Sequence, residues 1–220
     1  MMNDPPPPLT WRRALMFIAL VVAGLVVAMK LDPLVERALA DPKSHLRDWH
    51  RALRVMGYFP LWVVLSIAIA QHDWPRTVGK ALTRRLRRGL ILTLSPMFAG
   101  ITAELTKLIV RRERPEFSTE AGQYAFRSIL DGPLSTSGLG FPSSHTAVAF
   151  GAGCALSALF PNAKIIWLLA AAGCGYTRLA DEAHHFSDVY FGAVLGYACA
   201  WLTLRLLRRR NHTLHVEPQL

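Results

Sequence analysis

The chain has 220 residues, 52% of them hydrophobic and 18% charged, with a mean hydropathy of +0.25. Disordered tails, collagen and small disulfide scaffolds are excluded, and the length holds one domain or one compact helical bundle. The net charge of +10 would suit a nucleic-acid binder in a soluble chain. In a membrane chain the same excess faces anionic lipid headgroups, so the distribution of the apolar residues decides.

The first 13 residues are polar and proline-rich, Pro5 to Pro8 included, and read as a disordered tail. An uncharged run from Ala14 to Met29 follows Trp11, Arg12 and Arg13. At a helical rise it reaches roughly 24 Å, and Trp11 and Leu31 as interfacial ends bring it close to a hydrocarbon core. Ala38-Leu39-Ala40 resembles a signal-peptidase site but lies about ten residues beyond the apolar run, too distant for the usual geometry. Further runs are Tyr58 to Gln71, Gly89 to Val110, Thr146 to Phe160, Ala163 to Thr177 and Val189 to Leu204. Short runs of this kind also serve as core helices in soluble proteins. Six of them with basic flanks point instead to an all-α polytopic bundle with six transmembrane spans over residues 14–207, closed by a basic tail at 208–220. The +10 charge is then assigned to the bilayer surface, with no nucleic-acid partner. Cys154, Cys174 and Cys199 all lie in apolar stretches and read as small buried hydrophobes.

An even span count puts both termini on one side. That side carries two cations before the first span, six from Arg76 to Arg88, Lys164, and four from Arg205 to Arg210, leaving 12 of the 25 on the other. The raw count is almost tied, but the dense Arg84 to Arg88 and Arg208 to Arg210 clusters favour the terminal side as cytoplasmic. The longest loop between spans, Lys30 to Gly57, carries Leu46, Trp49, Leu53 and Met56 at helical spacing. That pattern fits a helix lying on the membrane surface or one packing on the bundle.

Three polar clusters remain. Lys107 and Arg114 are seven positions apart, nearly two helical turns, so a helix continuing to Pro115 would present both on one face. Arg111 and Arg112 between them read as snorkelling to the headgroups. Phe141-Pro142-Ser143-Ser144-His145 precedes the fourth span, with Ser143 or Ser144 as N-cap and free backbone N–H groups suited to an anion. A histidine in that first turn disfavours the imidazolium and is suited to exchanging a proton. The third cluster is Arg178, His184 and Asp188. His184 and Asp188 have the spacing of helical neighbours, whereas the corresponding partner of His185 is Val189, which cannot orient a ring. In an alternating six-span chain the three clusters share one face, opposite the termini. Cations with amide donors suit a phosphate, and a histidine with its carboxylate suits a nucleophile.

Lys107-x6-Arg114-Pro115, Pro142-Ser143-Ser144-His145 and Arg178-x5-His184-x3-Asp188, in this order, resemble the three signature motifs of the type 2 phosphatidic acid phosphatase family. That family shares its site with vanadium-dependent haloperoxidases and related acid phosphatases. The resemblance spans roughly Gly89 to Leu207. It departs from the family pattern at Ser144, often glycine there, and at Thr177, often serine. It implies a lipid phosphatase in which His184 attacks phosphorus, Asp188 orients its ring, and His145 serves as acid and then base. Lys107, Arg114, Arg178, the Ser143 hydroxyl and the Ser144 backbone N–H would hold the phosphate oxygens. It implies no metal and no cofactor. A vanadate-dependent haloperoxidase using the same anion cage, and a non-catalytic lipid-phosphate binder or transporter, are the alternatives. Among substrates the compact loops favour a polyprenyl diphosphate or a glycerophospholipid over lipid A.

Overall fold

The computed structural model describes residues 10–41, 43–74, 82–117 and 121–213, without the side chains of 82–85 and 208–213. The helices are α1 (Trp11–Leu39), α2 (Asp48–Arg54), α3 (Phe59–Asp73), α4 (Leu82–Val110), α5 (Ser144–Leu159), α6 (Lys164–Ala180) and α7 (Phe186–Thr213). Among the described residues there is no strand. Two isolated bridges, Arg112 with Phe126 and Glu113 with Leu139, tie the segment between α4 and α5. The all-helical expectation is met. Most of the polar N-terminal tail and the last seven residues lie outside the described residues, as do the side chains of Arg84, Arg85 and Arg208 to Arg210 used to orient the chain.

The six apolar runs coincide with α1, α3, α4, α5, α6 and α7. Three of these helices are long and apolar enough to cross a membrane: Trp11–Leu39, Leu86–Val110 and Phe186–Leu207. A fourth qualifies if Asp48–Gly57 and Phe59–Asp73, bent by 71°, count as one span. The remaining helices α5 and α6 have 16 and 17 residues, or about 24–26 Å of rise. The window of α1 is only 6% buried by the rest of the chain, so its apolar surface faces outward.

Helix α5 is the centre. Ala147, Ala149, Ala152 and Ala155 are fully buried on it, and it packs against α4, α6 and α7. Small side chains let the backbones approach closely, the usual device where lipid offers no hydrophobic drive between helices. The tightest approach is to α7. A Cβ on Gly192 would lie 2.6 Å from the Ser143 carbonyl oxygen, and one on Gly196 would lie 2.5 Å from that of Ala147. On the opposite side, Gly151 lies against Ser95 and Pro96 of α4.

One reading of the 30–57 segment is corrected, since helix α1 continues well past Lys30 to Leu39, and of the two readings of the helix around Trp49 the structure favours packing on the bundle, with α2 against α6. Trp49 faces Tyr176 at 6.0 Å between ring centroids, and His50, fully buried, places Nε2 2.9 Å from Asp181. Asp41 N–H donates to the Ala180 carbonyl at 3.0 Å. The ends of α1, α4 and α6 and the starts of α5 and α7 therefore meet at one end of the bundle.

Gly196→Leu would force α5 and α7 apart. Overpacking of this kind costs roughly 1–3 kcal/mol, so the substituted protein is expected to melt at lower temperature in detergent. An unchanged melting curve would show that the close approach is not needed.

Candidate active site

Helix α4 ends at Val110, earlier than the spacing of Lys107 and Arg114 suggests. Arg111 takes a left-handed backbone (φ 55°), and its guanidinium donates to the carbonyls of Arg127, Asp131 and Pro133 at 3.2, 2.8 and 3.4 Å. Those bonds hold a conformation that any residue with a Cβ adopts at some cost. Lys107 and Arg114 are thus delivered by a helix end and by the bridged segment after it, not by one helical face. Arg111 and Arg112 do not snorkel: both are buried. Arg112 pairs with Asp188, donates to Ser187 Oγ at 2.9 Å, and lies between the rings of Tyr124 and Phe141, 4.8 Å from each.

Ser143 is the N-cap of α5. Its Oγ accepts from Thr146 N–H at 3.5 Å and from Thr146 Oγ1 at 3.0 Å, and its own N–H donates to the Asp188 carbonyl at 3.1 Å. The Ser144 hydroxyl bonds Glu104, the same carboxylate that pairs with Lys107 Nζ at 2.8 Å. His145 follows in the first turn and is only half-buried. Thr177 is fully buried and donates to the Cys174 carbonyl at 2.7 Å. The three cysteines are free, Cys174 buried and the other two half-buried.

Arg178, at the end of α6, pairs with Asp181 at 2.8 Å, and Arg114 lies 3.5 Å from Glu116. The Nε atoms of Arg114 and Arg178 are buried without a hydrogen-bond partner among the described residues. An unpaired buried guanidinium donor is costly, and an anion would satisfy it.

His184 lies before α7, so its relation to Asp188 is not a helical pairing. Its Nδ1 is 2.9 Å from the Gly140 carbonyl oxygen and 3.6 Å from Asp188 Oδ2. A carbonyl can only accept, so Nδ1 carries the hydrogen and Nε2 of the neutral ring keeps its lone pair. Burial holds this imidazole down to about 4, Arg178 and Lys107 acting in the same direction and the adjoining Asp188 against it. Asp188 is fully buried and also accepts from His185 N–H at 2.9 Å.

His185 has an orienting partner after all. Its Nδ1 bonds Glu36 of α1, whose other oxygen accepts from Gly122 N–H at 2.7 Å. The ring is fully buried, which fits a structural part. Four residues earlier, Asp32 accepts from Ser187 N–H and Oγ at 2.7 and 2.6 Å and from Tyr124 O–H at 2.7 Å. Burial and this carboxylate push the Tyr124 phenol up, keeping it a donor. Sequence reasoning missed Asp32, Glu36, Glu104 and Arg112. The one signal for the first two was a pair of carboxylates four apart just beyond an apolar run.

All eight expected site residues meet at one end of the bundle. Cations with unpartnered donors, a capped helix start and a histidine with a free Nε2 form a place suited to a phosphate and a nucleophilic attack on it.

Known proteins bear on this arrangement. A lipid A 1-phosphatase of Rhizobium johnstonii is 30% identical over 208 residues, 90% of this chain and 80% of that protein. A phospholipid phosphatase 2 of Mus musculus is 30% identical over 180 residues, covering 74% of this chain and 56% of its own length. A crystal structure of Aquifex aeolicus LpxE aligns with a TM-score of 0.41 and 21% identity, over 70% of this chain and 92% of that one.

Histidine NMR gives a direct check on the tautomer. His184 is expected to be neutral at pH 6, with its hydrogen on Nδ1. The depressed value means that protonation sets in only as the pH falls towards about 4. A doubly protonated His184 at pH 6 would contradict the geometry.

Both named relatives are lipid phosphatases, in agreement with the enzyme class expected from the motifs, and the PAP2 superfamily model matches residues 88–212: the chain belongs to the PAP2 superfamily.

Proposed function

We propose that this chain is an integral-membrane phosphatase that hydrolyses a phosphomonoester or diphosphate of a membrane lipid through a phosphohistidine. The observation that carries this is His184: its Nδ1 is tied to Gly140, which leaves Nε2 as a nucleophile beside Lys107, Arg114 and Arg178. His184 Nε2 attacks phosphorus in line, and the bond to the leaving oxygen breaks as His145 gives that oxygen a proton. His145 then takes a proton from the water that hydrolyses the phosphohistidine. The three cations, the Ser143 hydroxyl and the Ser144 N–H stabilise the equatorial oxygens as charge shifts. Arg112 and the His185 N–H fix Asp188, which steadies the imidazolium that forms.

Six spans, α1 and α3 to α7, would form one phosphatase domain over residues 14–207, with the motifs in 89–207 and tails at 1–13 and 208–220. Both termini would face the cytoplasm, and the site would open to the periplasmic or outer face of the cell membrane. At that height a lipid keeps its chains in the bilayer while its phosphate enters the cage. The names of the relatives, a lipid A 1-phosphatase and a phospholipid phosphatase, support a lipid substrate and speak against ranking lipid A below the other candidates. A haloperoxidase would use the same cage for vanadate, but gains nothing from apolar helices. A passive binder needs the cations but not His145 and His184 together.

Phosphate release should be measured on the purified protein with a long-chain lipid phosphate and a water-soluble short-chain analogue, both in excess EDTA. The expected result is a much higher kcat/KM for the lipid, loss of turnover in His184→Gln, and inhibition by orthovanadate. Equal hydrolysis of the soluble ester under matched detergent would contradict lipid entry, and strict dependence on magnesium would contradict the cage.

A further inference from the structure

His50 is an imidazole to which the phosphoryl transfer gives no part, yet one carboxylate connects it to the cage. It lies on α2, outside residues 88–212, the stretch matched by the superfamily. The ring is fully buried, with Nε2 2.9 Å from Asp181 Oδ1 and 3.4 Å from the Thr177 carbonyl oxygen. A carboxylate and a carbonyl only accept, so Nε2 carries the hydrogen. Nδ1 is buried with no hydrogen-bond partner among the described residues, so the polar contacts of the ring run through Nε2.

Asp181 divides its two oxygens. Oδ2 accepts from Arg178 Nη1 at 2.8 Å, whereas Oδ1 is turned to His50 and to the Ser44 hydroxyl, 3.3 Å away. Asp181 thus grips Arg178 at Nη1 and leaves Nε, which is buried without a hydrogen-bond partner among the described residues.

A carboxylate beside a guanidinium favours a two-point grip, with two parallel N–H···O bonds. Here that grip would take a second donor of Arg178 away from the cage. Donors on Oδ1 oppose it, because turning that oxygen to Arg178 would strip His50 Nε2 and Ser44 Oγ of their acceptor in a buried place.

We propose that His50 is a positioning residue for phosphate binding: by holding Asp181 Oδ1 it confines Asp181 to one nitrogen of Arg178 and keeps the Nε donor for a phosphate oxygen. This rests on the phosphatase reading above, which puts the phosphate against Arg178. The segment before the matched stretch then shapes the cage, through His50 and Ser44, without touching the substrate.

The test is orthovanadate binding by the full chain in detergent, followed by calorimetry, in His50→Gln and His50→Asn. A glutamine amide nitrogen reaches the place of Nε2, and an asparagine amide only that of Nδ1. His50→Gln is expected to bind vanadate about 10-fold more tightly than His50→Asn, the worth of one charged hydrogen bond. In an Arg178→Lys background, where there is no fork to grip, the two are expected to bind alike. A role in packing alone would give the same difference in both backgrounds. Equal binding by the two variants with Arg178 in place, or a difference that persists in the Arg178→Lys background, overturns the positioning role and leaves the phosphatase reading in place. If His50→Asn does not fold, Ser44→Ala removes another donor from Oδ1, and vanadate binding unchanged by it overturns the role. An unsubstituted protein that neither binds vanadate nor releases phosphate from a lipid phosphate overturns the phosphatase reading and the positioning role with it.

Discussion

A fully buried carboxylate at Asp188 is the constraint on which the site is built. An ionised group removed from water must be paired and hydrogen-bonded or it neutralises. Here Arg112 pairs with it, His185 N–H donates to it, and His184 stands 3.6 Å away. Its backbone carbonyl receives Ser143 N–H, so one residue ties α4, α5 and α7 at the same point. Arg112 in turn needs a place for its flat guanidinium, which Tyr124 and Phe141 supply. Asp32 then holds Tyr124 and Ser187, drawing α1 into the network. Removing Arg112 would leave a buried charge unpaired, a strongly destabilising change in most settings.

The helices bring these groups together because their contact faces are small. Gly192 and Gly196 let α7 approach the backbone of α5. That approach places the start of α5, with Ser143 to His145, directly beside Asp188 and the loop that carries His184. Alternating helix direction does the rest, since the ends of α4 and α6 lie beside the starts of α5 and α7. The outer surface of α1 contributes little to packing, yet its polar end supplies two carboxylates to the loop before α7.

The fold class was legible in the apolar runs, each of which became a helix. The motif residues were legible from chemistry: cations at helix ends, a serine cap and a histidine near a carboxylate stand out in an apolar chain. What failed was local geometry inferred from helical spacing. His184 and Asp188 are four apart but not on one helix, and Lys107 and Arg114 straddle the helix end at Arg111. The supporting groups were illegible because their contacts span great sequence distances. Arg112 meets Asp188 across 76 positions, and Asp32 meets Ser187 across 155. A buried arginine next to a helix end carries the same local signature as one that snorkels, and only the fold distinguishes them. Glu104, a lone carboxylate inside an apolar run, links Lys107 with Ser144.

The central claim is that His184 becomes covalently phosphorylated. The direct measurement is to mix a radiolabelled lipid aryl phosphate, whose leaving group needs no proton, with a His145→Ala protein, in which activation of water is impaired, quench in base, and map the label by peptide. The account predicts label on the peptide bearing His184, stable in base and lost in acid, and none when His184 is also changed to Gln. Label that persists in that double variant, or turnover by the unsubstituted protein with no trapped intermediate under any quench, would contradict it.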